Sequence, residues 1–132
     1  MEKIKIAIIG QGRSGRDIHG RFFVSEKNVF CEVVAVVEAD ADRRAKALEE
    51  YPGCRVYEDY RQLFDQRDVQ LVVNASFSDE HYRITRDLLQ HGFHVVVEMH
   101  MARNYYEFCD LIKTAKDNGV LLSVFQQSFL AP

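Results

Sequence analysis

The chain is predicted to form a doubly wound α/β fold, in which a parallel sheet of about six strands carries helices on both faces. Three observations predict this fold. Short runs rich in Ile and Val alternate with segments of helical periodicity along the 132 residues. These runs are nearly continuous in apolar residues, as expected for parallel strands that are covered on both sides. Crossovers between parallel strands are right-handed almost without exception, which leaves few other topologies.

The predicted strands are the apolar runs, and charged residues or turn formers bound each of them. In chain order they are Ile4 to Ile9, Cys31 to Val37, Arg55 to Tyr57, Val69 to Asn74, His94 to Val97 and Val120 to Phe125. None of the runs approaches the roughly 18 apolar residues that a membrane span needs, so no membrane association is expected.

The first two predicted helices lie on either side of the second strand. One follows the glycines near residue 12 and turns Ile18 and Phe22 inward. The other follows Asp40 and ends by Pro52, and its predicted inner face consists of Ala41, Ala45 and Leu48.

The later helices have clearer end signals. A short helical turn is predicted from Tyr60 to Phe64. The next helix runs from about Asp79 to His91, with Ser78 as its cap and Gly92 as its stop. The last runs from Asn104 to Asn118, with an apolar face of Tyr105, Phe108, Leu111, Ile112 and Ala115.

Composition excludes several classes of protein. Apolar residues make up 47% and charged residues 28%, which excludes a disordered chain. The net charge of −3 gives no electrostatic case for binding nucleic acid or an anionic membrane. The charged N-terminus is unlike a signal peptide, and Cys31, Cys54 and Cys109 are widely spaced. We therefore expect reduced thiols in a cytoplasmic protein, with Cys109 as a small core residue.

A glycine-rich loop follows the first strand. Its sequence, Gly10-Gln11-Gly12-Arg13-Ser14-Gly15, is G-x-G-x-x-G, with a strand before it and a helix after it. Gly10 permits a sharp turn, Gly12 lets backbone approach a pyrophosphate, and Gly15 lets the helix pack closely. The helix N-terminus then offers N–H groups to the phosphates, and Arg13 either reaches across them or is solvated. This context predicts a dinucleotide site, and an ordinary structural turn is the alternative.

An acidic residue completes the pattern. Glu38 ends the second strand, 23 residues after Gly15, where a carboxylate accepts hydrogen bonds from the adenosine ribose. The same charge repels the 2′-phosphate of NADP, so NAD is the favoured cofactor. Arg43 and Arg44 follow closely enough in sequence to offer such a phosphate some countercharge.

Several segments, in order, resemble the glucose-fructose oxidoreductase / inositol dehydrogenase / MocA (Gfo/Idh/MocA) family over nearly the whole chain. Besides the glycine loop they are VVAVVEADADRRAKAL, VYEDYRQLF, VQLVVNASFSDEH, LLQHGFHVVVE and AKDNGVLLSVFQQ. The resemblance implies that residues 1–132 form the family's NAD(P)-binding Rossmann domain, without the substrate domain that follows it in longer members. It also implies cofactor contacts for Ser76 beside the nicotinamide ribose, for His81 at a helix start and for Glu98.

The resemblance breaks where members of the family carry Glu-Lys-Pro, whose lysine assists proton transfer. This chain has Glu98-Met99-His100, and a thioether has no proton to give. Phe77 also replaces a proline of the family. No catalytic residue is therefore assigned, and His100 is a weak candidate because imidazole titrates in the useful range.

The histidines do not predict a metal site. His91, His94, Glu98 and His100 are close in sequence, but His94 and His100 would lie about 20 Å apart along an extended strand. Without the family's second domain, apolar surface that includes Phe125, Phe129 and Leu130 is expected to be uncovered. We therefore expect a homodimer.

Three functions remain open at this point. The first is NAD binding without turnover, in a domain excised or engineered from a longer protein. The second is a dehydrogenase of a polyol, sugar or related hydroxyl compound in the full-length parent. The third is a self-associating scaffold whose nucleotide site is vestigial.

Overall fold

A computed structural model describes residues 2–11, 30–98 and 100–125, and the other residues lie outside the description. Its strands are β1 (Ile4–Ile9), β2 (Cys31–Val37), β3 (Arg55–Tyr57), β4 (Leu71–Asn74), β5 (His94–Glu98) and β6 (Leu122–Phe125). Its α-helices are α1 (Ala41–Glu50), α2 (His81–Gln90) and α3 (Tyr105–Asp117). Short 3-10 helices span Tyr60–Leu63 and Ser78–Glu80.

The strands form one parallel sheet in the order β3-β2-β1-β4-β5-β6. This order confirms the predicted doubly wound fold. The chain builds outward from β1 in one direction and from β4 in the other, so the sheet reverses its winding between β1 and β4. In such sheets, ligands bind beyond the carboxyl ends of the strands at this reversal.

Apolar packing covers both faces of the sheet. Alternate residues of β1 separate the two cores, because successive strand side chains point to opposite faces. Ala7 and Ile9 join the core under α2 and α3, whereas Ile6 and Ile8 join the core under α1. The sheet is therefore buried on both faces where β1 and β4 meet.

The strand predictions agree closely with the structure, but two helix faces were predicted wrongly. In α1 the buried residue is Ala47, while Ala45 and Leu48 are exposed. Asp40 caps this helix by accepting the Asp42 and Arg43 N–H groups, and Arg44 donates to the Glu38 and Ala39 carbonyls. These bonds fix the first turn with Arg44 toward the sheet, which rotates Leu48 outward.

Helix α3 is rotated in a similar way. Leu111 and Ala115 are buried as predicted, but Tyr105, Phe108 and Ile112 are exposed. Cys109 is exposed as well, so its assignment to the core was wrong. The buried face includes Glu107 and Thr114, polar residues that periodicity places outside.

The polar bonds of α3 explain this rotation. Asn104 accepts the Glu107 N–H, and the Glu107 carboxylate accepts from Arg103. Farther along, Asp110 accepts from the Tyr82 hydroxyl at 2.6 Å and from Arg86 at 2.8 Å. These donors lower the pKa of Asp110, and the same hydrogen bond is the largest cause that raises the pKa of Tyr82, to about 12. Polar groups thus join α3 to α2.

The start of α2 also differs from its prediction. Ser78 begins a 3-10 turn whose capping residue, Phe77, makes no side-chain cap, and α2 begins only at His81. Ser78 therefore lies inside the first turn and does not cap the helix. No helix in the described part of the chain is long and apolar enough to cross a bilayer.

Candidate functional site

A cleft of about 610 Å³ lies at the carboxyl edge of the sheet, where β1, β2 and β4 end. Its lining includes Gly10, Glu38, Ser76 and Phe77. Three predicted site residues, Gly10, Glu38 and Ser76, are thus brought to one cleft. The cleft occupies the position at which a doubly wound sheet binds ligands.

Gly10 forms the floor of the cleft beside β4. Its φ of +90° is in the region that favours glycine. A Cβ at this position would lie 2.5 Å from the Ala75 carbonyl oxygen. The Gly10 N–H also donates to the Val37 carbonyl at 2.8 Å. The loop is therefore drawn against β2 and β4 so closely that no side chain fits, as a backbone cradle for phosphate requires.

Glu38 is held at the end of β2 by backbone donors. Its Oε1 accepts the Gln11 N–H and its Oε2 accepts the Asp40 N–H, each at 2.9 Å. A carboxylate has about four acceptor positions, so two remain for a ligand. The carboxylate thus joins the glycine loop to α1 and still has capacity to bind two hydroxyls.

The two arginines near Glu38, Arg43 and Arg44, differ in how firmly hydrogen bonds hold their guanidinium groups. The Arg44 guanidinium is tied to the Glu38 and Ala39 carbonyls at 2.7 and 2.9 Å. Arg43 lies 3.7 Å from the Glu38 carboxylate, and its side chain is 48% exposed. Arg43 is therefore the cation beside Glu38 that lines the cleft.

Charged residues after β3 form the opposite rim. Asp59 caps the 3-10 helix, and a side-chain hydrogen bond from Arg61 is the main cause that lowers the pKa of Asp59 to about 2. The Tyr60 hydroxyl donates to Asp87, and burial followed by this bond raises the pKa of Tyr60 to about 12. The guanidinium groups of Arg61 and Arg83 lie 5.7 and 6.0 Å from the Tyr60 ring centroid. These interactions fix one wall of the cleft.

A buried polar network follows β4, on the other side of the sheet reversal. Asn74, fully buried, donates to the Thr85 hydroxyl at 3.0 Å and accepts from the Ser76 hydroxyl at 2.6 Å. The ring of His81 lies between the Ser76 and His100 carbonyls. The Asn74 side chain thus fixes the orientation of the Ser76 hydroxyl. Sequence reasoning missed Asn74, and its one signal was a polar residue closing the apolar run VQLVVN.

The remaining predicted residues lie elsewhere. His81 is 2% exposed and Glu98 is half-buried, and neither lines the cleft. The His100 side chain is exposed and also lies outside the lining. Gly12, Arg13, Ser14, Gly15 and Met99 are outside the described residues. So are Ile18, Phe22, Phe129 and Leu130, and the predicted first helix with them.

Comparison with known proteins decides the family. A family model for oxidoreductases with an NAD-binding Rossmann fold, GFO_IDH_MocA, matches residues 4–126. The chain belongs to this family. It is the NAD-binding Rossmann domain of a Gfo/Idh/MocA-type oxidoreductase, as the sequence motifs indicated.

Curated relatives agree with this assignment. The chain is 32% identical over 127 residues to an uncharacterized oxidoreductase of Schizosaccharomyces pombe, covering 96% of this chain and 34% of the relative. It is 28% identical over 126 residues to scyllo-inositol 2-dehydrogenase (NADP(+)) of Bacillus subtilis, covering 95% and 34%. The chain therefore spans about a third of the length of these curated relatives.

Solved structures share the fold and show two cofactor types. Biliverdin reductase from Synechocystis sp. PCC 6803, in complex with biliverdin and NADP+, is 25% identical with a TM-score of 0.83, over 96% of this chain and 39% of that one. The WlbA dehydrogenase from Chromobactrium violaceum, in complex with NADH and UDP-GlcNAcA, is 25% identical with a TM-score of 0.84, over 95% and 35%. The family thus binds dinucleotides of both kinds.

Proposed function

We propose that the chain binds NAD(H) in preference to NADP(H), with the adenosine ribose on Glu38. The observation that supports this proposal is the Glu38 carboxylate, which lines the cleft with two acceptor positions left over. Two ribose hydroxyls match those positions. A 2′-phosphate would instead place a second negative charge against the carboxylate, with the half-exposed Arg43 as compensation.

The start of the glycine loop, at the edge of the cleft, fits a dinucleotide. Gly10 leaves backbone open for phosphate, and the predicted contacts of Gly12, Arg13, Ser14 and Gly15 extend the same loop. The Gln11 carboxamide is buried, and neither its oxygen nor its nitrogen has a hydrogen-bond partner among the described residues. A buried polar group of this kind beside the loop is suited to hydrogen-bond a polar ligand.

The nicotinamide half then lies over β4 and β5, because a doubly wound sheet binds one mononucleotide on each side of its reversal. Ser76 is at the end of β4 and lines the cleft, while Glu98 and His100 follow at the end of β5. A bound nicotinamide supplies hydride chemistry. Met99 stands at the position of the family's lysine and its thioether has no proton to give, so we propose binding without turnover for these 132 residues.

A longer parent with dehydrogenase activity is the second candidate. It is supported by relatives such as the scyllo-inositol 2-dehydrogenase, and its substrate would be a polyol, a sugar or a related hydroxyl compound. His100 is the side chain that would replace the lysine as acid or base in that case. The scaffold hypothesis stays as the alternative if no dinucleotide binds.

Mapping by NMR tests the proposed site. NADH added to the ¹⁵N-labelled chain is expected to shift the backbone amides of Gly10, Glu38 and Ser76, at the carboxyl edge of the sheet. The amides of Cys31 and Gln70, at the amino edge, serve as the internal control and should not move. Shifts confined to the amino edge or to α3 would refute this placement.

We also propose that the domain self-associates, as a two-fold dimer of identical chains. Phe125, part of the expected patch, is half-buried. Other apolar side chains are exposed on α3, on β6 and at the residue before β6: Tyr105, Phe108, Ile112, Leu121 and Val124. Tyr105 is 81% exposed and Leu121 is 74% exposed. Apolar surface of this extent favours association, and identical partners favour two-fold symmetry.

Size-exclusion chromatography with light scattering measures this association. At tens of micromolar the unmodified chain is expected to give the mass of a dimer, and Phe108→Lys is expected to give a monomer with unchanged NADH binding. The control is Lys46→Ala, an exposed residue of α1 on the opposite face of the sheet, which should remain dimeric. A clean monomer for the unmodified chain would overturn the proposal.

A further inference from the structure

His81 connects the two loops that follow β4 and β5. It is the first residue of α2 and is 2% exposed. Its Nε2 lies 2.7 Å from the Ser76 carbonyl oxygen, and its Nδ1 lies 3.0 Å from the His100 carbonyl oxygen. The imidazole ring therefore spans the distance between the loops with one nitrogen at each.

Both partners of the His81 ring are carbonyl oxygens. A carbonyl oxygen only accepts a hydrogen bond, so each ring nitrogen needs its own N–H in order to bond. A neutral imidazole has a single N–H and would turn its lone pair toward the other carbonyl. The ring therefore donates to one loop when it is neutral and to both when it is protonated.

We propose that His81 is a positioning residue: as a clamp between the two loop carbonyls, it sets the spacing of the loops that hold the nicotinamide half of the cofactor. This proposal rests on the proposed function, which places that half over β4 and β5. Asn74 supports the same arrangement, because it fixes the Ser76 hydroxyl and donates to the His81 carbonyl at 3.5 Å. The clamp acts through the Ser76 and His100 loops and touches no cofactor atom.

Binding of cofactor fragments tests the clamp. His81→Phe keeps a ring and removes both ring nitrogens, so it is expected to weaken NADH binding about tenfold. ADP-ribose, which lacks the nicotinamide, should bind within about twofold of its affinity for the unmodified chain. His81→Gln keeps a donor near the Nε2 position and should recover part of the NADH affinity. His91→Gln, at the other end of α2, is the matched control and should change neither affinity. An equal loss of NADH and ADP-ribose binding in His81→Phe would overturn the clamp.

A spectroscopic measurement needs no variant. A ring N–H of His81 is expected to give a slowly exchanging signal in the imidazole ¹⁵N spectrum of the unmodified chain, because it is buried and hydrogen-bonded. A ring N–H in rapid exchange with water would overturn the clamp. If the unmodified chain bound neither NADH nor ADP-ribose, the proposed function would fail and the clamp's role would fail with it. That outcome is distinct from a selective loss in the variants.

Discussion

Gly10→Ala is expected to abolish dinucleotide binding and to destabilise the fold by about 3 kcal/mol. Two costs add at this position. The φ of +90° is strained for any residue with a Cβ, and that Cβ would lie 2.5 Å from the Ala75 carbonyl oxygen. Because the obstacle is backbone, relief requires β1 and β4 to separate at their carboxyl ends. The Gly10 bond to Val37 and the cleft floor would be lost together.

Gly53→Ala is the matched control for this substitution. Gly53 lies on the turn before β3 with nearly the same φ, +88°, but a Cβ there would meet nothing within 4 Å among the described residues. It should cost only the conformational part, about 1 kcal/mol, and leave NADH binding unchanged. Urea unfolding of both variants measures the difference. If Gly10→Ala and Gly53→Ala lowered the free energy of unfolding equally, the contact with Ala75 would contribute nothing to the cost of Gly10→Ala.

Glu38→Ala is expected to weaken NADH binding by more than about tenfold and to remove the preference for NADH over NADPH. Two effects combine. The ribose hydroxyls lose a charged acceptor, and the 2′-phosphate is no longer repelled. The N–H groups of Gln11 and Asp40 also lose their acceptor, so the glycine loop loses its tie to α1. Arg43 remains beside the site and then favours the phosphate.

Glu58→Ala is the control for charge in the same cleft. Glu58 lines the cleft, but its side chain is 76% exposed and its ion pair with Arg44 is 3.6 Å long. Exposed pairs of this kind contribute little. Glu58→Ala should therefore keep NADH affinity within about twofold and keep the preference for NADH. If both variants lost affinity equally, the effect would be one of overall charge and not of ribose recognition.

The sheet could be predicted from the sequence because its signals are local. The strands β1, β2 and β3 agree with the apolar runs residue for residue. Helix faces were harder to predict. Apolar periodicity suggested that Phe108 and Ile112 face inward, but the bonds of Glu107 and Asp110 set the rotation of α3. The Asp110 bonds join α3 to Tyr82 and Arg86 of α2, and no single segment contains that information.

The site residues also fall into two groups, those that a local motif predicts and those whose contacts form only in the folded chain. Gly10 and Glu38 were predicted because the spacing of a motif records their roles directly. The network of Asn74, Ser76 and His81 joins three elements through buried polar groups, and only the folded chain reveals it. The resemblance predicted His81 as a cofactor contact, and we propose that it acts through the Ser76 and His100 loops.

Calorimetric titration of the unmodified chain with NADH, and with NADPH in parallel, is the decisive test of the proposed binding. We expect one NADH per chain and weaker binding of NADPH, with the NADH heat greatly reduced in Glu38→Ala. If neither dinucleotide bound at millimolar concentration, the proposal would be wrong and the scaffold would be the better description of this domain.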